Sequence, residues 1–250
     1  MAILGRVLQR GPQDASFDAD EARMTVLEHL QALRRALIIS LLGWALGSVI
    51  AFAFWGGVLD FLVHRGGLTS LYYQQPTGAF TLALKIALYL GFVVGSPVII
   101  QQAWWFVSPG LHRHERRLIL PLILATMFFF LVGIGFALTS LPLFLHILTG
   151  FAPGELHYFP FVEDYMNFVL VLIVGFGIVF ELPVVIFVLG LMRVISSGWL
   201  YRNRFYWIIG LLIVANLMTP GVDPLTPLFM FVPLYVFWEA TALLLKATGR

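Results

Sequence analysis

Long apolar blocks separated by short polar stretches organise this chain, and they predict six membrane-spanning helices. A helix rises 1.5 Å per residue, so about 20 apolar residues cross a hydrocarbon core of about 30 Å. The predicted spans are Ala36–Val58, Phe80–Val107, Leu118–Leu138, Tyr165–Met192, Phe205–Met218 and Leu228–Leu245. The fifth and sixth spans are short, which we expect to thin the bilayer around them.

Positive charge lies almost entirely on one side of these spans. The N-terminal tail, the loops 108–117 and 193–204, and the C-terminal tail together carry thirteen Lys and Arg residues. The three loops on the other side carry one, Arg65, and Lys85 lies near the outer end of the second span. Because cytoplasmic loops are enriched in Lys and Arg, this distribution predicts that both termini lie in the cytoplasm.

Composition adds limits to this pattern. The chain is 60% hydrophobic and 11% charged, whereas a soluble domain carries about 25% charge. We therefore expect an all-α integral membrane protein with a mobile cytoplasmic tail, 1–23, and one six-helix membrane domain, 24–250. The absence of cysteine excludes disulfides and thiol catalysis. No cofactor or metal is expected, since His112 and His114 do not share a helix face.

Glu181 is a carboxylate in the middle of the fourth span, within GFGIVFELPVV. Such a group costs several kcal/mol in hydrocarbon, so it is expected to be protonated, paired or facing a wet cavity. A structural pair with Lys85 is one interpretation. Pro183 is expected to kink the span and to free the backbone carbonyl near Val179.

The segment that begins at Met24 has apolar residues at helical spacing and predicts an amphipathic helix at the cytoplasmic surface before the first span. Thr25 and Glu28 fit a capping box, so capping is as good an interpretation of Glu28 as ligand binding. Arg34 and Arg35 fit ordinary cytoplasmic anchors equally well.

The loop WWFVSPGLHRHERRL is the third candidate region. Ser108 followed by Pro109 predicts an N-cap and a helix start, which would put Glu115 about two turns into that helix. A carboxylate there can bind a guanidinium group in a bidentate contact. A local ion pair with its arginine neighbours is the alternative, and those neighbours are Arg113, Arg116 and Arg117.

Taken together, these motifs resemble the TatC family, the multispanning receptor subunit of the twin-arginine protein translocase. Four signatures in this order carry the resemblance over nearly the whole chain from Met24 to about Leu245. They are EHLQALR at 28–34, WWFVSPGLHRHERR at 104–117, FGIVFELPVVI at 176–186, and TPGVDP followed by FVPLYVFWE at 231–239.

The resemblance implies a cupped membrane body whose cytoplasmic face binds signal peptides with two consecutive arginines on folded cargo. It makes Glu115 a ligand of the arginine pair and gives Phe106 and Pro109 a part in shaping the site. The other implied signal-peptide-binding residues are Glu28, Arg34, Arg116 and Arg117. This chain has Ala32 where the family usually has glutamate, and Glu28, one turn earlier on the same face, is the candidate substitute.

The resemblance also implies an intramembrane site for the single-span partners TatA and TatB, formed by Glu181, Pro183 and Thr226. Thr226 and Pro227 stand where the family commonly has serine and glutamine. The implied location is the cytoplasmic (inner) membrane, in a hetero-oligomer of several copies. An enzyme is not expected, since no nucleophile and base lie at one depth. The alternative function is a proton-coupled small-solute transporter that uses Glu181.

Overall fold

The computed structural model describes residues 26–69, 71–110, 115–150, 159–218 and 225–249, without the side chains of Val26, Glu115 and Arg116. Within these residues the chain is helical. The helices are α1 (Val26–Phe52), α2 (Trp55–Arg65), α3 (Gly78–Val107), α4 (Ile119–Gly150), α5 (Val162–Val179), α6 (Leu182–Leu191), α7 (Ser197–Arg202), α8 (Arg204–Met218) and α9 (Leu225–Ala247). The predicted tail, 1–23, lies outside the described residues.

Five apolar segments are long enough to cross a membrane, and they define an integral membrane protein. They are Leu27–Phe52, Gly78–Gly110, Ile119–Gly150, Val162–Leu191 and Leu225–Ala247. The remaining predicted span, the fifth, is the shorter apolar helix α8. Its 15 residues extend about 22 Å. The end of the bundle where α1 begins, α3 ends and α9 ends is called the N-terminal face below, and the other end is the opposite face.

Helix α1 lies antiparallel to α3, and small residues let the two backbones touch. A Cβ atom on Gly47 would lie 2.5 Å from the carbonyl oxygen of Gly91, and one on Gly43 would lie 3.0 Å from Val98 Cγ1. The indole N–H of Trp44 donates to the Leu88 carbonyl at 2.8 Å. Close packing of this kind holds membrane helices together because lipid supplies no hydrophobic drive for association. α1 meets the rest of the bundle chiefly through α3.

Helix α5 is the centre of the protein. Apolar residues occur on every side of this helix, as expected of a helix surrounded by other helices. Met166, Val169, Leu172 and Phe176 are fully buried, and α5 packs against α3, α4 and α8. On α4, a Cβ atom at Gly133 would lie 2.5 Å from the Phe176 carbonyl oxygen. The core is therefore assembled around α5, with α1 at its edge.

The fourth span is broken rather than kinked. α5 ends at Val179 and α6 begins at Leu182, with Pro183 in its first turn. Proline has no backbone N–H, which removes a helical hydrogen bond at this level. Glu181 is the residue at the junction, and its carbonyl accepts from the Val185 N–H at 3.0 Å. The helical hydrogen bonding of the span is therefore interrupted at the level of Glu181.

Several predicted boundaries are wrong. The expected surface helix is continuous with the first span, because residues 26–52 form one helix. Its apolar face is not packed on protein there, since Leu27 is 72% exposed. The third span continues twelve residues beyond Leu138 to Gly150, with Pro142 inside it. Polar and helix-breaking residues around Thr139 made that end hard to predict, but the Thr139 hydroxyl donates to the Gly135 carbonyl within the helix.

The sixth span is not short. α9 has 23 residues, which extend about 34 Å and suffice to cross a bilayer. The predicted span, Leu228–Leu245, is too short because Thr226, Pro227 and Lys246 lie near the ends of the helix. Pro233 stays inside the helix, as Pro97 does in α3. α2, on the opposite face, was not predicted. The Arg65 side chain at its end donates to the Leu138 carbonyl at 2.9 Å.

A polar cluster on the N-terminal face holds α8 against α9. The Arg204 guanidinium lies 3.1 Å from the Glu239 carboxylate and hydrogen-bonds with the Tyr235 hydroxyl. Tyr201, on α7, donates to Glu239 at 3.3 Å. Arg204 also lies over the Tyr235 ring, 5.3 Å from its centroid. Glu239 is therefore held in an ion pair with Arg204.

The contact between α1 and α3 gives a stability prediction. Replacing Gly47 with alanine should lower the free energy of unfolding by about 1–3 kcal/mol, because the new Cβ meets backbone that cannot move aside. Thermal unfolding in detergent would measure this. Gly135→Ala, on α4, is the matched control, because a Cβ there has nothing within 4 Å. Equal melting temperatures for the two variants would contradict close packing at Gly47.

Candidate functional site

The first candidate site is where the start of α1 meets the end of α3. Antiparallel packing brings His29 onto Phe106, with ring centroids 4.4 Å apart and planes at 26°. Phe106 is half-buried, while Glu28 and Arg34 are exposed. Two sequence motifs that are more than seventy residues apart are thereby joined on the N-terminal face. This stack was not predicted from the sequence.

The segment after α3 does not begin a new α-helix at Ser108, and that prediction is wrong. Ser108 is the C-cap of α3, and its hydroxyl donates back to the Trp105 carbonyl at 2.8 Å. A 3₁₀ turn, Ser108–Gly110, follows and contains Pro109, which is half-buried. The serine hydroxyl is engaged by the helix that ends, so it is not available to cap one that starts.

Glu115 opens a second 3₁₀ turn, Glu115–Leu118, which leads directly into α4. It therefore lies at the membrane entry of α4, not two turns into a separate loop helix. Arg117 is exposed. The side chains of Glu115 and Arg116 lie outside the described residues. Residues 111–114 and Thr25, the predicted capping residue, also lie outside the described residues.

The second candidate site surrounds Glu181, where α5 gives way to α6. The residue is half-buried, and its Oε1 atom is buried with no hydrogen-bond partner among the described residues. The carboxyl lies next to the Thr126 side chain and the Phe130 backbone, both on α4. The Thr126 hydroxyl accepts a hydrogen bond from the Trp104 indole N–H at 2.9 Å. Polar side chains of α3, α4 and the junction between α5 and α6 thus lie together within the apolar bundle.

Sequence reasoning missed Trp104 and Thr126. Thr126 is a single hydroxyl inside the apolar run ILPLILATMFFFLV, which is a signal in principle. Nothing in the sequence indicates that it faces Glu181 rather than its own helix, because that depends on how α4 packs against α6.

Two expected partners of Glu181 are not at its depth. Lys85 lies 19 residues from Trp104 along α3, or about 28 Å, so the interpretation of a Glu181–Lys85 pair is wrong. On α9, Phe237 lies at the level of Glu181, because its ring centroid is 5.1 Å from that of Phe180, the residue before Glu181. Thr226 is eleven residues from Phe237, or about 16 Å along the helix. Thr226 is buried in the first turn of α9 instead.

An apolar groove of about 370 Å³ adjoins the Glu181 level between α4, α6 and α9. Pro183, Val184 and Phe187 form one wall, and Phe129 and Phe237 contribute from the neighbouring helices. Pro183 is thus placed at a groove wall next to the buried carboxyl. In the described part of the chain no group of His, Asp or Glu residues is arranged to hold a metal ion.

These features define a helical membrane protein with two polar sites at different depths, both suited to binding. The chain belongs to the TatC family: the family model described as "Sec-independent protein translocase protein (TatC)" matches residues 28–233. It is therefore a membrane component of a protein translocation system that works with other Tat subunits. Its family is not a known family of enzymes.

Relatives and solved structures agree with this assignment. The chain is 35% identical over 230 residues to the TatC protein of Carboxydothermus hydrogenoformans, covering 91% of this chain and 95% of that one. It is 36% identical over 234 residues to TatC of Aquifex aeolicus, covering 91% and 97%. A crystal structure of the twin-arginine translocase receptor TatC superposes with a TM-score of 0.77 at 36% identity, covering 89% of this chain and all of that chain.

The stack of His29 on Phe106 gives a prediction about local order. Phe106→Ala should speed backbone amide exchange at residues 27–31, because a stacked pair of this kind contributes about 0.5–1.5 kcal/mol. Exchange measured by mass spectrometry would test it. Trp105→Ala is the control, since Trp105 is 55% exposed. Unchanged exchange in Phe106→Ala would show that the stack does not hold the start of α1.

Proposed function

We propose that this protein is the receptor of a twin-arginine translocase, exporting folded proteins independently of the Sec system. The observation that supports this most strongly is the 36% identity to a solved twin-arginine translocase receptor over the full length of that chain. In this proposal the chain crosses the cytoplasmic (inner) membrane six times, with α8 as the fifth span. The thirteen Lys and Arg residues of the two tails and of the loops 108–117 and 193–204 support a cytoplasmic location for both termini.

The proposed signal-peptide site is on the N-terminal face. Glu115 binds the arginine pair, and Phe106 and Pro109 shape the surface beside it. Support comes from the His29–Phe106 stack, which joins the first motif to the second. Glu28 and Arg34, both exposed near the start of α1, are thereby brought within one region with this loop.

Arg116 and Arg117 complete the proposed site. Their charge repels a cationic peptide, so their proposed role is to orient the Glu115 carboxylate rather than to contact the arginine pair. Two acidic residues stabilise a ligand with two arginines more than one acidic residue does. Glu28 is the proposed second acidic residue, because Ala32 stands where the family usually has glutamate. Release of the ligand is favoured by the same flanking arginines.

The proposed partner site is inside the membrane and involves Glu181, Pro183 and Thr226. It takes single-span subunits of the TatA and TatB type. A buried carboxyl oxygen without a partner is costly in hydrocarbon, so a hydrogen-bond donor on an arriving helix would be favoured there. The apolar groove that includes Pro183 offers an adjoining surface. Thr226 lies some 16 Å along α9 from the Glu181 level and is buried, so its proposed role is to support the partner surface at a different level rather than to touch the partner.

The signal-peptide site is tested by Glu115→Gln. Photocrosslinking between a twin-arginine signal peptide and the N-terminal face should fall at least about tenfold, as expected when one charge-assisted, bidentate contact is lost. Asp60→Asn is the control, because Asp60 is an exposed carboxylate on the opposite face. Crosslinking as strong in Glu115→Gln as in Asp60→Asn would remove Glu115 from the site.

The two sites should be separable. Glu181→Gln should leave signal-peptide crosslinking unchanged and weaken crosslinking to a single-span Tat subunit from a photoreactive residue at position 185. Val185 is 47% exposed, one turn beyond Glu181. Glu163→Gln, at the other end of the same span, is the matched control. Loss of signal-peptide binding in Glu181→Gln would mean that the sites are not independent.

A further inference from the structure

Pro142 leaves one backbone carbonyl of α4 without its helical donor. In an α-helix the carbonyl of each residue accepts from the N–H four residues later, and proline has no N–H to donate. Pro142 lies inside α4, so the carbonyl that loses its donor is that of Leu138. The helix nevertheless continues to Gly150. A membrane helix tolerates such a proline when another group satisfies the carbonyl that it frees.

The replacement donor comes from another helix. The Nε–H of Arg65, at the end of α2, donates to the Leu138 carbonyl at 2.9 Å, across 73 positions of sequence. The donor is charged, and charge-assisted hydrogen bonds are stronger than neutral ones. Arg65 is also the single Lys or Arg residue in the three loops predicted on this side. The enrichment of positive charge in cytoplasmic loops therefore does not account for it.

Pro97 shows the same chemistry within one helix. It lies inside α3, and the carbonyl that it leaves without a helical donor is that of Val93. The Ser96 hydroxyl donates to this carbonyl at 2.7 Å. Near Pro142, by contrast, the Thr139 hydroxyl donates to carbonyls earlier in α4. The second proline therefore takes its donor from a different helix.

Other contacts hold the end of α2 against the same part of α4. A Cβ atom on Gly66, the residue after Arg65, would lie 3.1 Å from Leu145 Cδ1 and would overlap the Tyr165 hydroxyl. That hydroxyl is buried and donates to the Leu62 carbonyl at 2.6 Å. The end of α2 thus has one polar contact with α5 and one with α4. The contact with α5 does not involve Arg65, so α2 stays attached when Arg65 is changed.

We propose that Arg65 supplies the hydrogen bond that Pro142 removes, and that this bond couples the position of α2 to the order of α4 beyond its proline. Arg65 is a positioning residue in this proposal and touches no ligand. With the bond in place, α2 and residues 143–150 move as one unit on the opposite face. The proposal does not depend on the receptor function proposed above.

The first test measures backbone amide exchange in the full-length protein in lipid nanodiscs. Arg65→Met keeps an apolar stem and removes the donors. Exchange at residues 143–149 should become about two- to tenfold faster, because an unpaired carbonyl destabilises the turn around Pro142. In Pro142→Ala the new N–H donates to Leu138 within the helix. Adding Arg65→Met to that variant should change exchange by less than about twofold.

Two matched controls accompany this test. Pro97→Ala combined with Arg65→Met should keep the full effect of Arg65→Met, because Pro97 lies in another helix and Ser96 satisfies the carbonyl that it frees. Lys85→Met removes the other basic residue predicted near the opposite face and should leave exchange at residues 143–149 unchanged. If Arg65→Met fails to fold, Pro142→Ala should restore folding, and failure to restore it would contradict the proposal.

A second measurement follows α2 itself. The chain has no cysteine, so spin labels on cysteines placed at positions 57 and 143 report only the distance between α2 and α4. A Cβ atom on Gly57 has nothing within 4 Å, and Leu143 is 45% exposed, so both positions accept a label. Arg65→Met should broaden the distribution of distances, whereas Lys85→Met should leave it as in the parent protein.

Four further results would overturn the proposal. Unchanged exchange in Arg65→Met would mean that the Leu138 carbonyl does not depend on Arg65. An equal effect with and without Pro142→Ala would show that the bond does not replace the one that proline removes. Faster exchange with an unchanged distance distribution would mean that α2 and α4 are not coupled. An effect seen only in nanodiscs with anionic lipid would make Arg65 a headgroup contact instead.

Discussion

The fold depends on the need to satisfy polar groups within the protein wherever the chain lies in hydrocarbon. Helices meet this need for the backbone, and most threonines and serines meet it by donating to their own helix. The break at Phe180–Glu181 is the place where this scheme is interrupted. There two helix ends and a carboxyl occur together, next to the Thr126 hydroxyl of α4, which accepts a hydrogen bond from Trp104 of α3.

The same bundle accommodates polar groups in different ways at its two polar sites. On the N-terminal face, water and headgroups are near, so exposed charges such as Arg34 and Arg117 need no partner in the protein. Farther inside, charge is rare, and the neighbours of Glu181 include a hydroxyl and backbone. This difference follows from the cost of desolvation, which rises with depth in the membrane.

The sequence predicted the class of protein and most of its long apolar helices, because these depend on hydrophobic runs and on residue order. It did not predict what depends on packing. Pro183 was expected to kink a helix that in fact breaks, and Thr126 gave no sign of facing Glu181. The Glu181–Lys85 pair was wrong because a sequence does not give relative depth directly. The end of α4 was placed early since Pro142 is tolerated when the rest of the turn stays bonded.

Helix α1 has a consequence for how the protein is made. It is shielded by α3 and by little else in the bundle, and the glycines that permit this contact all lie before Val107. A hairpin of α1 and α3 can therefore form in the bilayer before α5, the core helix, has been synthesised. Assembly would then proceed by docking a finished pair onto later helices, in keeping with helices that insert first and associate afterwards.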